Sequence, residues 1–191
     1  SDFINDPTSK KIMSLLNKEG ELARFVGGCV RDSLINIRTK DIDIATKYKP
    51  EKIIEILSSN SIKVIPTGID YGTVSVFTNN FNFEITTLRS DIETDGRHAK
   101  VSFTDDWKED SMRRDFTINS IYLSPNGDIF DPNNGTLDLA KGSVIFIGDP
   151  KERILEDYLR ILRYFRFNSY YGDENIPFSS QAYEACKDLR V

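Results

Sequence analysis

Hydrophobic positions recur along this chain with two different periods, and these periods predict its helices and strands. Apolar residues at helical spacing predict an amphipathic helix over about residues 7–18, with Thr8 or Ser9 as its N-cap, and another helix that begins at Pro50. Short apolar runs bounded by turn residues predict strands. These strands cover residues 24–26, 41–44, 63–66, 73–78, 81–88, 119–123 and 129–130. The pattern indicates an α/β protein with a mixed sheet flanked by helices.

The C-terminal part of the chain is predicted to be helical. One continuous helix is expected from about Pro150 to Phe167, and a final helix over residues 178–189. The apolar arc of the long helix contains Ile154, Leu155, Tyr158, Leu159, Ile161, Leu162 and Phe165. Its charged arc contains Arg153, Glu156, Asp157, Arg160 and Arg163. Residues 89–106 are polar and without a clear period, which predicts a long mobile loop.

Two glycines follow the first predicted strand and lead into a short helix. Gly27 and Gly28 form a tight turn without side chains, and residues 29–35 are the predicted helix. A glycine turn that leads into a helix presents backbone N–H groups, which suit an anion such as phosphate. A lone Gly-Gly pair is usually only a turn, so a function for this one depends on the residues that come after the helix.

The next strand carries two carboxylates on one face. Asp41 and Asp43 are two residues apart, so both project from the same side while Ile42 and Ile44 enter the core. Two carboxylates on one rigid face suit divalent cations, which prefer oxygen ligands, and such sites support phosphoryl transfer. A lone Asp-x-Asp is usually a solvated strand face. The glycine turn and the aspartate pair within one unit are far more specific than either alone.

The order Gly-Gly-x-x-Arg-Asp followed by Asp-Ile-Asp resembles motif A of the class II tRNA nucleotidyltransferase and bacterial poly(A) polymerase family. The resemblance implies that two Mg²⁺ ions are held by Asp41 and Asp43, that Arg31 lies near phosphate and that Asp32 fixes the loop. Glu84, on the second arm of the predicted hairpin, is the candidate for a third catalytic carboxylate. An exposed strand glutamate without a catalytic role is an equal alternative for Glu84.

A second motif lies at residues 113–119, where the sequence reads Arg-Arg-Asp-Phe-Thr-Ile-Asn. Two guanidinium groups can hold a triphosphate, and a carboxylate can accept hydrogen bonds from ribose hydroxyls. The run resembles motif B of the same family, and the resemblance implies that Arg113, Arg114, Asp115 and Asn119 bind the nucleotide. The alternative is an ordinary charged helix end.

A third motif, Glu-Asp-Tyr-Leu-Arg at residues 156–160, resembles motif D of the family. There the Asp and the Arg act as a protein template for the incoming base, which implies that role for Asp157 and Arg160, with Arg163 also in the nucleotide site. An ordinary amphipathic helix with surface ion pairs explains the periodicity equally well. Residues 131–139 are turn-rich and resemble the hinge motif C.

The resemblance covers about residues 24–167. It implies a nucleotidyltransferase head over residues 1–140 and the start of a helical neck over 141–191, with the body and tail of the family absent. The implied activity is addition of C and A from CTP and ATP to the tRNA 3′ end, without a template, by two-metal phosphoryl transfer. Residues 89–106 resemble the family's flexible loop, which disfavours a pure CC-adding enzyme. A poly(A) polymerase, an A-adding enzyme and a catalytically incomplete nucleotide-binding fragment or subunit are the alternatives.

Composition narrows the picture further. The chain has 191 residues and a formal net charge of -5, which argues against a non-specific nucleic-acid binder but leaves room for a local basic patch. No apolar run is long enough to span a membrane. Cys29 and Cys186 match no zinc spacing and are predicted to be reduced thiols of a cytoplasmic protein. The sequence leaves open a homo-oligomer or a missing C-terminal portion.

Overall fold

A computed structural model describes residues 2–95 and 98–190, with the backbone alone for residues 91–95 and 98–100. The chain divides into two compact units. Unit 1 comprises Ser1–Arg89, Phe103–Trp107 and Tyr122–Phe130, and unit 2 comprises Ser90–Ser102, Lys108–Ile121 and Asp131–Val191. Both units are assembled from segments that are far apart in the sequence.

Unit 1 is built on one mixed β-sheet. The strands of the chain are β1 (Ala23–Val26), β2 (Asp41–Thr46), β3 (Ile65–Gly68), β4 (Thr73–Phe77), β5 (Asn82–Thr87), β6 (Arg89–Asp95), β7 (His98–Phe103), β8 (Tyr122–Leu123) and β9 (Ile129–Phe130). The mixed sheet has the order β3-β4-β5-β2-β1-β8-β9, while β6 pairs with β7 separately. Strands β2 and β5 run parallel, whereas β1 is antiparallel to β2 and β4 to β5. The predicted mixed sheet is therefore confirmed.

The two faces of this sheet differ in polarity because side chains alternate along each strand. Ile42 and Ile44 of β2 are buried on one face, as are Phe83 and Ile85 of β5. The helices of unit 1 are α1 (Asp2–Asn5), α2 (Pro7–Leu16), α3 (Gly28–Leu34) and α4 (Pro50–Ser58). Helix α4 packs against α2 and β4, and α3 packs against β1 and β2. The opposite face of β2 and β5 carries polar side chains.

The N-cap of α2 differs from the prediction. Asp6 caps the helix, because its Oδ1 accepts hydrogen bonds from the backbone N–H groups of Thr8 and Ser9 at 2.9 and 3.0 Å. Thr8 and Ser9 are thus the capped residues, and Pro7 takes the first helical position. The sequence contains both signals, and a carboxylate before a proline is the stronger one.

Unit 2 has a helical core of its own. The remaining helices are α5 (Trp107–Met112), α6 (Gly135–Lys141), α7 (Pro150–Glu156), α8 (Leu159–Tyr171) and α9 (Ser180–Asp188). Aromatic rings dominate this core, with Phe116 4.7 Å from Phe146 and 5.5 Å from Phe167 between ring centroids. Helix α7 packs against α8 and α9. Among the residues that the structure describes, no helix is long and apolar enough to cross a membrane.

The predicted continuous helix over 150–167 is wrong. It breaks after Glu156, because Asp157 has an extended backbone (φ -156°, ψ 105°), and α8 begins at Leu159. Because of the break, the predicted apolar and charged arcs do not match the observed burial. Leu162 of the apolar arc is 69% exposed, whereas Arg160 of the charged arc is 9% exposed. Periodicity does not report the break, because each half is helical by itself and the amphipathic pattern runs through it.

Three other segments also differ from the prediction. Residues 89–106, predicted as a loop, contain β6 and β7, and Gly96 and Arg97 of the expected turn lie outside the described residues. The segment 131–139 includes the start of α6, because Asp131 accepts from the N–H groups of Gly135 and Thr136. Phe146 forms a single bridge with Phe116, although the apolar run at residues 144–147 predicts a strand. Backbone and capping hydrogen bonds, which apolar periodicity does not report, decide these segments.

Candidate active site

The strand–turn–helix unit in unit 1 forms as predicted, and Gly27 is its decisive residue. Gly27 has φ 73° and ψ -132°, lies between β1 and α3, and its carbonyl accepts from the Arg31 N–H at 2.9 Å. A side chain at this positive φ would strain the backbone, so the turn requires glycine. Helix α3 begins at Gly28, where an added Cβ would lie 3.6 Å from Nη2 of Arg31. The backbone N–H groups of the turn therefore lie at the N-terminus of α3.

Arg31 and Asp32 form an ion pair within α3. The Arg31 Nε donates to Asp32 Oδ1 at 2.8 Å, and Nη2 lies 2.8 Å from the same oxygen. The Arg31 side chain is 7% exposed and that of Asp32 14%. A buried guanidinium is fixed by such a partner, so Asp32 sets the direction of Arg31 beside the glycine turn. The sequence predicted both residues here.

Parallel pairing of β2 and β5 brings three carboxylates onto one face of the sheet. Asp41 lies opposite Asn82, and Asp43 lies opposite Glu84. Asp41 and Glu84 are exposed and Asp43 is partly exposed, while their sequence neighbours on both strands are buried. The register therefore places Glu84 on the strand next to Asp43, as the sequence proposed, on the side of the sheet away from the core.

Asn82 is a site residue that the sequence did not indicate. Its Nδ2 donates to Oδ1 of Asp41 at 2.9 Å, and its backbone N–H donates to Lys40 O at 2.8 Å. The pairing of β2 with β5 creates this contact between residues 41 apart in the chain. A strand register of that range has no local sequence signal, so only the observed sheet identifies it.

The aspartate pair supplies the oxygen ligands that divalent cations prefer. Among the side chains that the structure describes, no group of three or more His, Cys, Asp or Glu residues is arranged to hold a metal ion. Mg²⁺ is commonly bound through one or two carboxylates while substrate phosphates and water supply the other oxygens. Asp41 and Asp43, on one accessible face, fit that requirement. Glu84 is adjacent to them but is not part of a three-carboxylate cage.

A buried thiol lies behind this pair. Cys29 is 1% exposed, and its Sγ donates to Val26 O at 3.4 Å and to Asp43 O at 3.7 Å. Burial, and then the nearby Asp43 charge, raise the pKa of Cys29 to about 12. The thiol is therefore neutral and serves as packing beneath β2. Cys29 and Cys186 are both unbridged.

A cavity of about 820 Å³ opens beside the start of β2. Residues 36–40, just before Asp41, form one wall, and residues 79–81, just before Asn82, form another. Phe3 and Asp6 near the N-terminus also line it, whereas Asp41, Asp43 and Glu84 do not. The carboxylate side chains of the candidate site therefore lie outside this cavity.

The two arginines of the second motif are organised by Asp110, a site residue that the sequence motifs do not single out. Asp110 is 1% exposed, and its two oxygens accept from Arg113 Nε and from Arg114 Nη2, each at 3.1 Å. The carboxylate precedes the arginines by three and four residues, a spacing that brings side chains together at a helix end. That spacing is the sequence signal that could have identified it.

Asp115, Asn119 and Arg163 are brought together in unit 2. Asp115 Oδ1 accepts from the Asn119 side chain at 3.0 Å and from the Phe116 N–H at 2.8 Å. Its Oδ2 accepts from Arg163 Nε at 2.7 Å. The Asp115 carboxylate thus binds two other predicted site residues, Asn119 of the same motif and Arg163 of α8.

Asp157 and Arg160 do not share a continuous helix face, so the predicted geometry of the third motif is wrong. Asp157 lies at the break, where its Oδ1 accepts from the Leu159 N–H at 3.0 Å. Arg160 is buried and donates through Nη1 to Glu156 Oε2 at 2.5 Å and to Arg153 O at 2.7 Å. The break separates a partly exposed carboxylate from a guanidinium that its neighbours hold in place.

Comparison with known proteins shows that this chain is similar to a family of nucleotidyltransferases. Residues 23–145 match the family described as the poly(A) polymerase head domain. The chain is 49% identical over 159 residues to the mitochondrial CCA tRNA nucleotidyltransferase 1 of Homo sapiens, covering 83% of this chain. It is similar to the CCA-adding enzyme of Bacillus stearothermophilus in complex with CTP, with a TM-score of 0.79 and 32% identity over 94% of this chain.

A second similar structure is a tRNA nucleotidyltransferase complexed with a primer tRNA and an incoming ATP analogue, with a TM-score of 0.72 and 27% identity over 93% of this chain. The chain spans only part of each relative. It covers 37% of the human protein, 43% of the Bacillus chain and 49% of the chain bound to primer tRNA.

Proposed function

This chain belongs to the poly(A) polymerase head-domain family, and from that premise we propose that it is the catalytic part of a CCA tRNA nucleotidyltransferase. It would add C and A from CTP and ATP to the 3′ end of tRNA without a nucleic-acid template. The observation that carries the proposal is the carboxylate face of β2 and β5, where Asp41 and Asp43 lie beside Glu84 next to a strand–glycine–helix turn. The names of the similar proteins support the same activity.

The reaction would be a phosphoryl transfer. The 3′-hydroxyl oxygen of the RNA forms a bond to the α-phosphorus of the nucleotide, the bond to pyrophosphate breaks, and the hydroxyl proton passes to solvent. Two Mg²⁺ ions bound by Asp41 and Asp43 would favour the deprotonated hydroxyl and stabilise the charge on the leaving pyrophosphate. Glu84 would be the third acidic group at this face, and Asn82 would keep one oxygen of Asp41 in a fixed direction.

The triphosphate and ribose would be held by groups whose directions are already fixed. Gly27 and Gly28 place no side chain over the backbone N–H groups of the turn, and Arg31 is held beside them by Asp32. Arg113 and Arg114 share Asp110, so both guanidinium groups are preorganised for phosphate.

The ribose side of the site would depend on Asp115. This carboxylate bonds Asn119 and Arg163, and it can also accept from a ribose hydroxyl. The three side chains then act together, because each constrains the orientation of the others. Fixed groups of this kind cost little reorganisation when substrate binds.

Base choice is proposed for Asp157 and Arg160. On their Watson–Crick edges, cytosine and adenine both present an amino donor beside a ring-nitrogen acceptor, whereas uracil and guanine do not. A carboxylate that accepts from the amino group and a guanidinium that donates to the ring nitrogen would therefore accept C and A. A wrong base leaves these polar groups unpaired, which gives strong discrimination.

Two other functions have an observation in their favour. The matching family carries the name of poly(A) polymerase, which favours addition of A alone. The chain spans 37% of the human relative, which favours a nucleotide-binding fragment that needs further segments for turnover. We propose a head over residues 1–140 and the start of a neck over 141–191, with helices α7 to α9 in the neck.

Incubation with tRNA that lacks its 3′ CCA, with Mg²⁺ and each labelled nucleotide in turn, tests the proposal. The expected result is incorporation of CMP, then of AMP once CTP has been used, with a total of three nucleotides. The matched control is Asp43→Asn, which keeps size but removes the charge. Long tails of A without use of CTP would indicate a poly(A) polymerase. Binding of CTP without incorporation would indicate the fragment.

A cytoplasmic location is part of the proposal. Cys29 and Cys186 are buried and unbridged, which supports a compartment that keeps thiols reduced. The human relative carries the description mitochondrial in its name, so a mitochondrial location is the competing one. Cell fractionation of the tagged protein distinguishes the two.

A further inference from the structure

Arg153 on α7 forms hydrogen bonds with two segments, one proposed to bind the phosphates and one proposed to read the base. Its Nη2 donates to Arg113 O at 2.6 Å and to Arg114 O at 2.9 Å. Its Nη1 donates to Glu156 Oε2 at 2.6 Å. The side chain is 12% exposed. One guanidinium therefore holds the backbone of both phosphate-binding arginines and the glutamate that precedes Asp157.

The same glutamate oxygen continues the chain of hydrogen bonds. Glu156 Oε2 also accepts from Arg160 Nη1 at 2.5 Å, and that nitrogen donates to Arg153 O at 2.7 Å. Arg153, Glu156 and Arg160 thus form a closed ring of contacts around the break between α7 and α8. Any displacement of Arg153 changes the anchoring of Arg160 and of the 113–114 backbone together.

The chemistry of arginine matches this arrangement. A planar guanidinium can donate in several fixed directions at once, and bonds between charged groups are stronger than neutral ones. A lysine at the same place would provide a point charge without the fork. Lys151, two residues earlier on α7, is different: it pairs with Asp188 at 2.9 Å and is 57% exposed, as surface ion pairs commonly are.

We propose that Arg153 is a positioning residue for nucleotide selection: it holds the Arg113–Arg114 backbone and, through Glu156, the base-reading Arg160 in one hydrogen-bonded unit. This inference rests on the proposed function, and it assigns Arg153 no contact with the substrate. Loss of the fork removes one of the two guanidinium partners of Glu156, the carboxylate that holds Arg160, so a wrong base meets a guanidinium that can move. Discrimination between bases therefore falls more than the rate with the correct base.

A bracing role in the fold alone is the competing explanation, and the ratio of two substrates separates them. Both kcat/KM values for CTP and UTP scale with the fraction of folded protein, so their ratio is unaffected when a variant is merely less stable. The test compares the unsubstituted chain with Arg153→Lys and Arg153→Ala on tRNA that lacks its CCA end. Lys151→Ala is the matched control, since it removes a cation from the same helix.

The expected result is a CTP-to-UTP ratio at least tenfold lower in both Arg153 variants and unchanged in Lys151→Ala. An unchanged ratio in the Arg153 variants, with a lower melting temperature, would overturn the positioning role and leave the proposed function intact. If the unsubstituted chain binds CTP without adding it, the ratio of the CTP and UTP dissociation constants is compared instead, with the same expected change. If it binds neither nucleotide, both the proposed function and the positioning role are overturned.

Discussion

Asn82 donates its side-chain amide to Asp41 across the parallel pair of strands, with 2.9 Å between Nδ2 and Oδ1. This contact directs one oxygen of a proposed metal ligand. Asn82→Ala is expected to lower kcat/KM for CTP about tenfold, because a hydrogen bond to a charged group contributes about 1.5 kcal/mol or more. Steady-state incorporation assays measure this. Asn60→Ala, which changes an exposed asparagine after α4, is the control, and an equal loss there would contradict a specific role for Asn82.

Asp41 and Asp43, the two proposed metal ligands, are expected to be indispensable for nucleotide addition. Asp41→Ala and Asp43→Ala are expected to reduce nucleotide addition by at least about a thousandfold, since loss of a ligand in metal-assisted phosphoryl transfer removes several kcal/mol of transition-state stabilisation. The fold should survive, because both side chains lie on the accessible face of β2. Circular dichroism and melting temperature check this. Near-normal turnover of either variant with Mg²⁺ would exclude the metal assignment.

Glu84→Gln tests the third carboxylate separately. If Glu84 takes part in catalysis, kcat falls at least about tenfold with little change in KM. If it is only an exposed strand residue, both constants stay near those of the unsubstituted chain. Glu51→Gln, on the exposed surface of α4, makes the same chemical change away from the sheet.

Substitution of Asp110 is expected to lower both the stability of the fold and the affinity for the nucleotide. It is buried and holds Arg113 and Arg114. Asp110→Asn removes the charge that balances two guanidinium groups, and breaking such a buried pair costs about 3 kcal/mol. Urea unfolding and the KM for CTP should both change, with KM raised because the two arginines lose their fixed direction. A lower stability with an unchanged KM would show that Asp110 acts only on the fold.

The sequence was sufficient for features that depend on local neighbours. Gly27, with its positive φ, and the two-residue period of Asp41 and Asp43 are of this kind. The contact of Asn82 with Asp41 depends on which strand pairs with β2, and no pattern within either strand specifies that. The helix break at Asp157 escapes prediction for another reason. An amphipathic pattern continues through it, and the hydrogen bonds that join Arg153, Glu156 and Arg160 around the break leave no mark on that pattern.

Base selection by the third motif gives a prediction that survives the change in geometry. Asp157→Ala or Arg160→Ala is expected to lower the preference for CTP and ATP over UTP and GTP at least about tenfold, since wrong bases then no longer leave buried polar groups unpaired. Steady-state comparison of all four nucleotides measures it. Mg²⁺ dependence of the remaining activity should be unchanged, because neither residue is a proposed ligand. An unchanged preference in both variants would assign these residues to the helix junction alone.

The thiols provide a prediction on reactivity that does not depend on activity. Cys29 is 1% exposed and Cys186 is 2% exposed, so reagent must wait for opening of the fold. Labelling of the native chain by a maleimide at neutral pH is expected to be at least about a hundredfold slower than labelling in denaturant. Mass spectrometry of timed samples reads each cysteine separately. Rapid labelling of Cys186 in the native chain would show that the core around α9 opens easily.

The pH dependence of stability follows from the burial of Cys186. Burial raises its pKa above the ordinary value of 9.0, so the native state holds the thiol proton more tightly than the unfolded state does. The stabilisation is fully present below about pH 9 and is lost as pH rises further, because the unfolded chain then releases the proton first. The free energy of unfolding should therefore fall more steeply as pH rises above about 9 in the unsubstituted chain than in Cys186→Ala. Lysines and tyrosines titrate in both proteins and cancel in the difference, so parallel curves would contradict the raised pKa.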